Sequence, residues 1–299
     1  VAPLAGIWLA LALYISNVGF NVMNKQVLTV LPVCPLLNTS LHFGVGSLIS
    51  LMAWKARLQP GFESLTVPML RACLPLALLH CVAVFFTNVA ISKVNLSLVH
   101  TIKAAEPLYA AFLSLLLLKR VPRFAEVGAL SIIVLGVVRA SVSEVSFNMV
   151  GFCAAMASNL AFCLKNIFSV KVMGEGMDEL SFLSVLTIGA FCIGLPFAMW
   201  REWAILCGAV ADFSSTELAA LGSQALAAGV LFHFYQISSI VILSKASAVT
   251  HSVVNTMKRP VLILISAVFF HTEIRPWNGF GVLCAVLGAY LYGRVKAKR

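Results

Sequence analysis

Charge is scarce in this chain. Of its 299 residues 11% are charged and 61% hydrophobic, with a mean hydropathy of +0.98, against about 25% and about 45 to 50% in soluble domains. That excludes a soluble globular fold and places the chain in lipid. Acid is scarcer than base, at 11 Asp and Glu to 21 Lys and Arg, a formal net charge of +10. Polar stretches long enough to build a water-soluble catalytic domain are missing: ten spans of about 20 residues consume about 200 positions and leave about ten per loop or end. The alternation of a membrane β-barrel strand, over about ten residues at a time, is missing too, because Pro75 to Ala90 and Ala125 to Val138 are apolar on all sides. Helices remain, since only helices and closed barrels satisfy every backbone group in lipid. None of the eight cysteines stands in a CxxC arrangement. They read as small apolar fillers rather than a redox or zinc site, and no metal or cofactor is expected. The chain opens at Val1 on an apolar run without a charged n-region, cleavage site or Arg-rich transit segment, so a targeting peptide is expected to have been removed or never present.

What is there is a run of apolar segments separated by turn chemistry and charge. They fall at about Pro3 to Met23, Pro35 to Trp54, Met69 to Ile91, Asn95 to Leu118, Phe124 to Ala140, Phe147 to Met173, Leu180 to Trp200, Leu218 to Leu243, Ala246 to His271 and Pro276 to Tyr292. Breaks such as Leu58-Gln59-Pro60-Gly61 and Glu273-Ile274-Arg275-Pro276 carry the residues that punctuate helices. Ten spans put both termini on one side. That side then holds Lys55, Arg57, Arg71, Lys119, Arg120, Arg123, Lys171, Lys245, Arg294, Lys296, Lys298 and Arg299, against Lys25, Lys93, Arg139, Arg201 and Arg275 on the other. The bias predicts termini facing the compartment of insertion, the cytoplasm of a bacterium or the stroma-like interior of a plastid.

The two halves of the chain also resemble each other. Ser16-Asn17-Val18-Gly19-Phe20 and Asn24 in the first span answer Ser158-Asn159-Leu160-Ala161-Phe162 and Asn166 in the sixth. Further on, Ser92-Lys93 answers Ser244-Lys245, Arg123 answers Arg275, and Val134-Leu135-Gly136 answers Val286-Leu287-Gly288. The reading is an all-α membrane protein of ten transmembrane helices in two five-helix repeats, residues 1–142 and 143–299. An odd number of spans per repeat forces the two to insert upside down relative to each other. That is the inverted-repeat construction of secondary transporters, whose substrate site lies near the midplane.

Four basic residues, Lys103, Lys165, Lys258 and Arg259, lie within predicted spans, and Glu106 is the one acid there. A charge at such depth costs at least about 2.5 to 3.5 kcal/mol, so each needs a reason. Glu106 is three residues after Lys103 and is placed to lean against it on one helical face. Lys165 is close enough to a span end to reach the interface. Neither reason serves Lys258-Arg259, near the middle of the ninth span with no acid to spare. The missing negative charge is most simply a substrate: Arg binds phosphate through a planar fork and Lys adds a compact charge beside it. Pro107 and Pro260 follow these cations at equivalent places in the two halves, as kinks beside a site or as packing features. His100 shares a face with Lys103, while His251, Asn255 and Arg259 follow a four-residue spacing. A helix-to-helix hydrogen bond is the competing role for His100 and His251, and more so for His42 and His80. Tyr235 either offers a hydroxyl or packs.

At these residues the sequence resembles the plastidic phosphate translocators of the drug/metabolite transporter superfamily. The similarity runs over nearly the whole chain and is most specific at Val99-His100-Thr101-Ile102-Lys103-Ala104-Ala105-Glu106-Pro107, at Phe232-His233-Phe234-Tyr235-Gln236 and at Thr250 to Arg259. Ser143 to Asn148 and Ala155 to Leu160 look closest to the phosphoenolpyruvate/phosphate branch. The resemblance implies the ten-helix fold of that superfamily and strict exchange of inorganic phosphate for a phosphorylated metabolite across the innermost plastid membrane. It implies phosphate bound at Lys103, Lys258 and Arg259, with the rest of the metabolite at Thr87 and Tyr235. Position 84, usually His or Asn in the family, is Val84 here, Val99 stands where a Thr is usual, and Lys165 where Arg is common. The changes at 84 and 99 remove polar partners for the non-phosphate end, which leaves both a permissive and a selective pocket open; the reading adopted is a broad carrier of the apicoplast or non-green plastid kind, taking phosphoenolpyruvate and three-carbon phosphates.

A nucleotide-sugar transporter of the same superfamily is the alternative. A membrane-embedded enzyme stands further off, because a general base or metal carboxylates are poorly supplied by Glu106 alone. The expected partners are inorganic phosphate, small phosphorylated metabolites and membrane lipid. No nucleic acid is expected, since the basic excess is spread over loop ends and core rather than gathered on a soluble face. Oligomeric state has no sequence signal.

Overall fold

The computed structural model describes residues 2–58, 65–119, 121–144, 147–174, 177–245, 248–271 and 275–297, and side chains throughout these except at 2–10, 117–118, 170–171, 174, 242–257 and 296–297. Eleven helices follow in order: α1 (Ala2–Val30), α2 (Pro35–Lys55), α3 (Val67–Lys93), α4 (Leu96–Lys103), α5 (Glu106–Leu118), α6 (Phe124–Val142), α7 (Met149–Gly174), α8 (Glu179–Ala209), α9 (Ser215–Lys245), α10 (Ala248–Phe269) and α11 (Pro276–Ala297). They make the ten expected spans, the fourth in two pieces, α4 and α5. Among the described residues, α2, α3, α6, α7, α8 and α9 are each long and apolar enough to cross a membrane. Large apolar side chains such as Ile15, Leu48, Leu135, Trp200 and Leu283 stand exposed on the outer surface, as a lipid-facing shell requires.

The helix ends follow local chemistry. Pro at the first or second position opens α2 and α3, where a missing N–H costs nothing. Asp178 caps α8 by accepting from the N–H groups of Leu180 (3.1 Å) and Ser181 (3.0 Å), and Arg57, Lys119 and His271 end α2, α5 and α10 in the left-handed region, the usual helix stop. α8 runs to Ala209 rather than stopping near Trp200, which takes Glu202 out of the expected span end and into a buried position. There its carboxylate accepts from the N–H groups of Leu36 (2.9 Å) and Leu37 (2.7 Å). A carboxylate on one helix thus caps the positive N-terminus of another. Lys25, expected in a loop, lies inside α1 and donates to the carbonyls of Ile91 (2.6 Å) and Val94 (3.0 Å) at the negative end of α3.

The helix neighbours carry the repeat. Pairing the first five spans with the second five sends the α3–α7 interface onto α9–α1, and α3–α8 onto α9–α2, while α2–α8 and α6–α11 map onto themselves; among the described residues these six are the most extensive interfaces. The pairing of spans read from sequence thus recurs in the pattern of helix neighbours. At α6–α11 the matched glycines do the work: a Cβ on Gly136 would fall against the backbone nitrogen of Ala285, and one on Gly288 would meet Ile133. Without a hydrophobic driving force in lipid, such close backbone approach is what holds spans together.

Candidate functional site

The site forms where the broken fourth span faces α3, α7, α9 and α10. Pro107 has no N–H, so the carbonyl of Lys103 loses its helical partner. The chain answers with a tight turn: the Ala104 N–H is shared between the carbonyls of His100 and Thr101 (3.1 Å each), and Ala105 N–H bonds Ile102 O at 3.0 Å. The kink expected at Pro107 is thus a complete interruption. Its counterpart Pro260 lies inside an uninterrupted α10, so the repeat does not reproduce the break.

Lys103, on the last residue of α4, donates to Ser158 Oγ at 3.0 Å and lies 4.7 Å over the Phe162 ring. Ser158 in turn sits 2.7 Å from Thr87 Oγ1, and both hydroxyls reach the Ala83 carbonyl at 2.9 Å. Lys258 donates to the Tyr235 hydroxyl at 2.9 Å. Arg259 forms an ion pair with Glu106, Nη2 to Oε2, at 2.5 Å across the two halves. Two expectations are corrected here. Glu106 does not lean against Lys103, because the turn at Ala104 and Ala105 separates them, and Arg259 is not without an acid. The Lys258-Arg259 pair is still short of one negative charge, as the charge count required.

These groups line a cavity of about 330 Å³. Lys103, Lys165, Lys258, Arg259, Thr87, Tyr235, Val84 and His100 all face it; the side chains of His251 and Asn255 lie outside the described residues. Lys165 does not run to the interface: its ammonium stands 5.8 Å from the Phe162 ring on the cavity wall. His100 Nε2 is hydrogen-bonded to Asn21 Oδ1 at 3.1 Å, so it holds α4 to α1 as well as facing the cavity. His42 and His80 serve the core, His42 beside Phe20 and Phe232 and His80 through a 3.2 Å bond from Gln236. Ser158, Phe162, Asn17 and Asn21 are cavity or near-cavity groups whose roles were missed, although the repeated Ser-Asn-x-x-Phe pattern marks three of them.

Among the described residues, four cations and one carboxylate line the cavity, a formal excess of three positive charges. Among the described residues no carboxylate stands within ion-pair distance of Lys103, Lys165 or Lys258. The lining extends from midspan toward Met173, Leu183 and Ile240, near the ends of α7, α8 and α9 on the side of the termini. On the opposite side Leu28, Ile91, Val94, Leu98 and Ile102 pack into one closed core. An anion of small size is what such a vestibule attracts and orients.

Ten spans in two inverted halves around a basic midspan cavity define a multi-pass membrane transporter of the drug/metabolite transporter fold rather than an enzyme. The chain belongs to the Triose-phosphate Transporter family, whose model matches residues 5–293. It is 39% identical over 288 residues to phosphoenolpyruvate/phosphate translocator 3, chloroplastic, of Oryza sativa subsp. japonica, covering 95% of this chain and 73% of that protein. A triose phosphate/phosphate translocator of the non-green plastid, chloroplastic, from Brassica oleracea var. botrytis is 38% identical over 286 residues, 95% and 71%. Glucose-6-phosphate/phosphate translocator 1, chloroplastic, of Arabidopsis thaliana is 33% identical over 285 residues, 94% and 72%. A crystal structure matches with a TM-score of 0.56 over 98% of both chains at 14% identity, a likeness of fold alone.

Proposed function

We propose that this protein exchanges inorganic phosphate for phosphorylated three-carbon metabolites, phosphoenolpyruvate, triose phosphate and 3-phosphoglycerate, across a plastid inner membrane. The observation that carries the proposal is the convergence of Lys103, Lys258 and Arg259, from opposite halves, on one cavity with one carboxylate. Relatives named for phosphoenolpyruvate and triose phosphate as counter-substrates of phosphate support the substrate class.

The phosphate dianion binds Lys103 and Lys258 and competes with Glu106 for the Arg259 fork. Val84, Thr87 and Tyr235 border the remainder of the metabolite. Alternating access follows from charge. Sealing an empty cavity from both solutions leaves unpaired like charges in low dielectric, at a cost of several kcal/mol. A bound anion removes that penalty, so loaded carriers cross and empty ones do not, which is one-for-one exchange without a coupling ion. Uptake of labelled phosphate by liposomes containing the purified protein tests it. Uptake is expected only into vesicles preloaded with phosphate or an organic phosphate, and is expected to vanish in Lys258→Ala and Arg259→Ala. Uptake that ignores the internal load would show a channel or uniporter instead.

A further inference from the structure

A second cavity, of about 600 Å³, lies outside the substrate site, among helix ends on the side opposite the termini. Its walls are helical stripes. α2 supplies Leu37, Leu41, Gly44 and Leu48, which recur on one face of that helix. α9 supplies Leu218, Leu221, Gly222 and Ala225 in the same way, and the ends of α1 and α8 complete the enclosure. Among the lining residues only Asn38 and Ser40 are polar. The Asn38 amide is turned to Asn24 at 2.7 Å, and Ser40 is buried. Phe191 closes the inner end, its ring fitting against Gly44, where a Cβ would fall 2.8 Å from it. The outer rim stands exposed at Leu48 and Leu218, so the cleft opens sideways on the lipid-facing surface.

Dimensions name the occupant. Along α2 the cleft runs from Leu37 to Leu48, about 16 Å at the helical rise, and one leaflet of the hydrocarbon core is about 15 Å deep. An apolar channel of that depth, open along its side to the bilayer, has the length and chemistry of a single lipid chain. The repeat adds a second observation. The α9–α2 interface has α3–α8 as its counterpart, and there Leu70, Cys73, Leu74 and Ala77 stand in the register of the four residues on α9. On α8, Val185, Ile188 and Gly189 match Leu41, Gly44 and Val45, and together they line a smaller cleft of about 230 Å³ in the other leaflet. A concavity repeated in both leaflets fits the one component that both supply. The difference in size has a cause in the sequence: Gly222 stands where the counterpart has Leu74. A Cβ on Gly189 would meet Ala77 at 2.8 Å, so that glycine serves close helix contact, whereas one on Gly222 would meet nothing within 4 Å. Glycine weakens a helix, and at position 222 it keeps open a space that no protein group fills.

We propose that the cleft between α2, α8 and α9 is a lipid site, holding one acyl chain of a bilayer lipid from the leaflet opposite the termini. The chain lies against Phe191, which packs on the core cluster of Phe43, Val84 and Phe232, and so forms the outer layer of the wall behind the substrate cavity. This assignment is independent of the phosphate-exchange reading.

The test uses the whole chain in phosphatidylcholine liposomes doped with phosphatidylcholine that carries a diazirine midway along one chain. After irradiation the lipid adducts are mapped by peptide mass. Leu135 on α6 and Leu283 on α11, both exposed on the outer surface, report contact with passing lipid. Adducts at Leu41, Gly44 and Leu221 are expected at about fivefold that yield. In Gly222→Phe, whose ring fills the cleft, they are expected to fall to the yield at Leu135; Gly222→Leu gives the same readout should the larger side chain prevent reconstitution. A cleft labelled in the unaltered protein no more than Leu135 and Leu283 overturns the site, whatever the variants do. Enrichment that a filled position 222 leaves intact overturns it too, because the chain would then lie outside the space that Gly222 keeps open. Labelling of Leu135 and Leu283 with no adduct in the cleft would mean that a second copy or another molecule covers this face, and overturns the lipid equally.

Discussion

Glu106→Gln should make this carrier bind phosphate more tightly and turn over more slowly. In the structure the carboxylate holds Arg259 at 2.5 Å, occupying the fork a phosphate needs. The substitution keeps the shape, frees the guanidinium and raises the cavity's formal excess from three positive charges to four. At an effective dielectric of about 20 and a separation of about 7 Å, one unit charge acts on another with about 2 kcal/mol, and on a dianion with about 4. Water and salt in the open cavity screen much of this, leaving a gain of about 1.4 to 2.8 kcal/mol, or ten- to a hundredfold in affinity. Tighter binding of the ground state without matching stabilisation of the crossing state slows turnover. Calorimetric titration of the solubilised protein gives the affinity, and homo-exchange at saturating phosphate gives the rate. Weaker phosphate binding by Glu106→Gln would refute the reasoning. It would show that Glu106 positions Arg259 for the substrate instead of competing with it.

Two further outcomes concern the scaffold. Gly136→Leu places a side chain against the Ala285 backbone, so separation of α6 from α11 is expected, seen as loss of monodisperse protein on size exclusion or a large fall in Tm; a stable, active variant would deny that this interface is closed by backbone contact. Glu202→Ala strips the N-terminal N–H groups of Leu36 and Leu37 of their acceptor and is expected to cost about 1 to 3 kcal/mol, read as a lower Tm with phosphate affinity unchanged, since the residue is remote from the cavity lining.

The repeat, the spans and the basic cluster were legible because each is a property of residue type along the chain. Apolar runs locate helices, and Val134-Leu135-Gly136 matched to Val286-Leu287-Gly288 already pairs the two spans that pack on each other. Contacts between helices were not legible. Glu106 was assigned to Lys103 because three residues is a helical neighbour distance, but its partner is 153 residues away. Glu202 looked like the end of a span because Arg201 and Glu202 are charged. It remains helical and buried because the N-terminus of α2, 165 residues earlier, supplies the donors. Pro107 and Pro260 look equivalent, yet only the first interrupts a helix. At Pro107 the turn is built from small residues, Ala104 and Ala105, which are fully enclosed. Periodicity tells which face of a helix is apolar; it does not tell which helix another polar group arrives from.

If coupling arises from unpaired charge in the empty cavity, then changes of opposite sign must move leakage in opposite directions. Lys165 is the place to test this, because it lines the cavity with no carboxylate partner among the described residues and lies outside the proposed phosphate set. Lys165→Gln lowers the formal excess from three charges to two, and the cost of sealing the empty cavity falls with it. About 1.4 kcal/mol off that barrier is about tenfold in the rate at which empty carriers return. Uptake of labelled phosphate into unloaded vesicles, divided by uptake into phosphate-loaded ones, should therefore rise by about tenfold in Lys165→Gln. It should fall or stay at background in Glu106→Gln, where the excess is four. Leakage that rises in both variants would mean that packing around the cavity enforces coupling, since charge predicts opposite signs. Leakage that rises in neither, with exchange intact, would place the barrier to empty crossing outside the cavity, in the closed core around Leu28, Ile91 and Ile102.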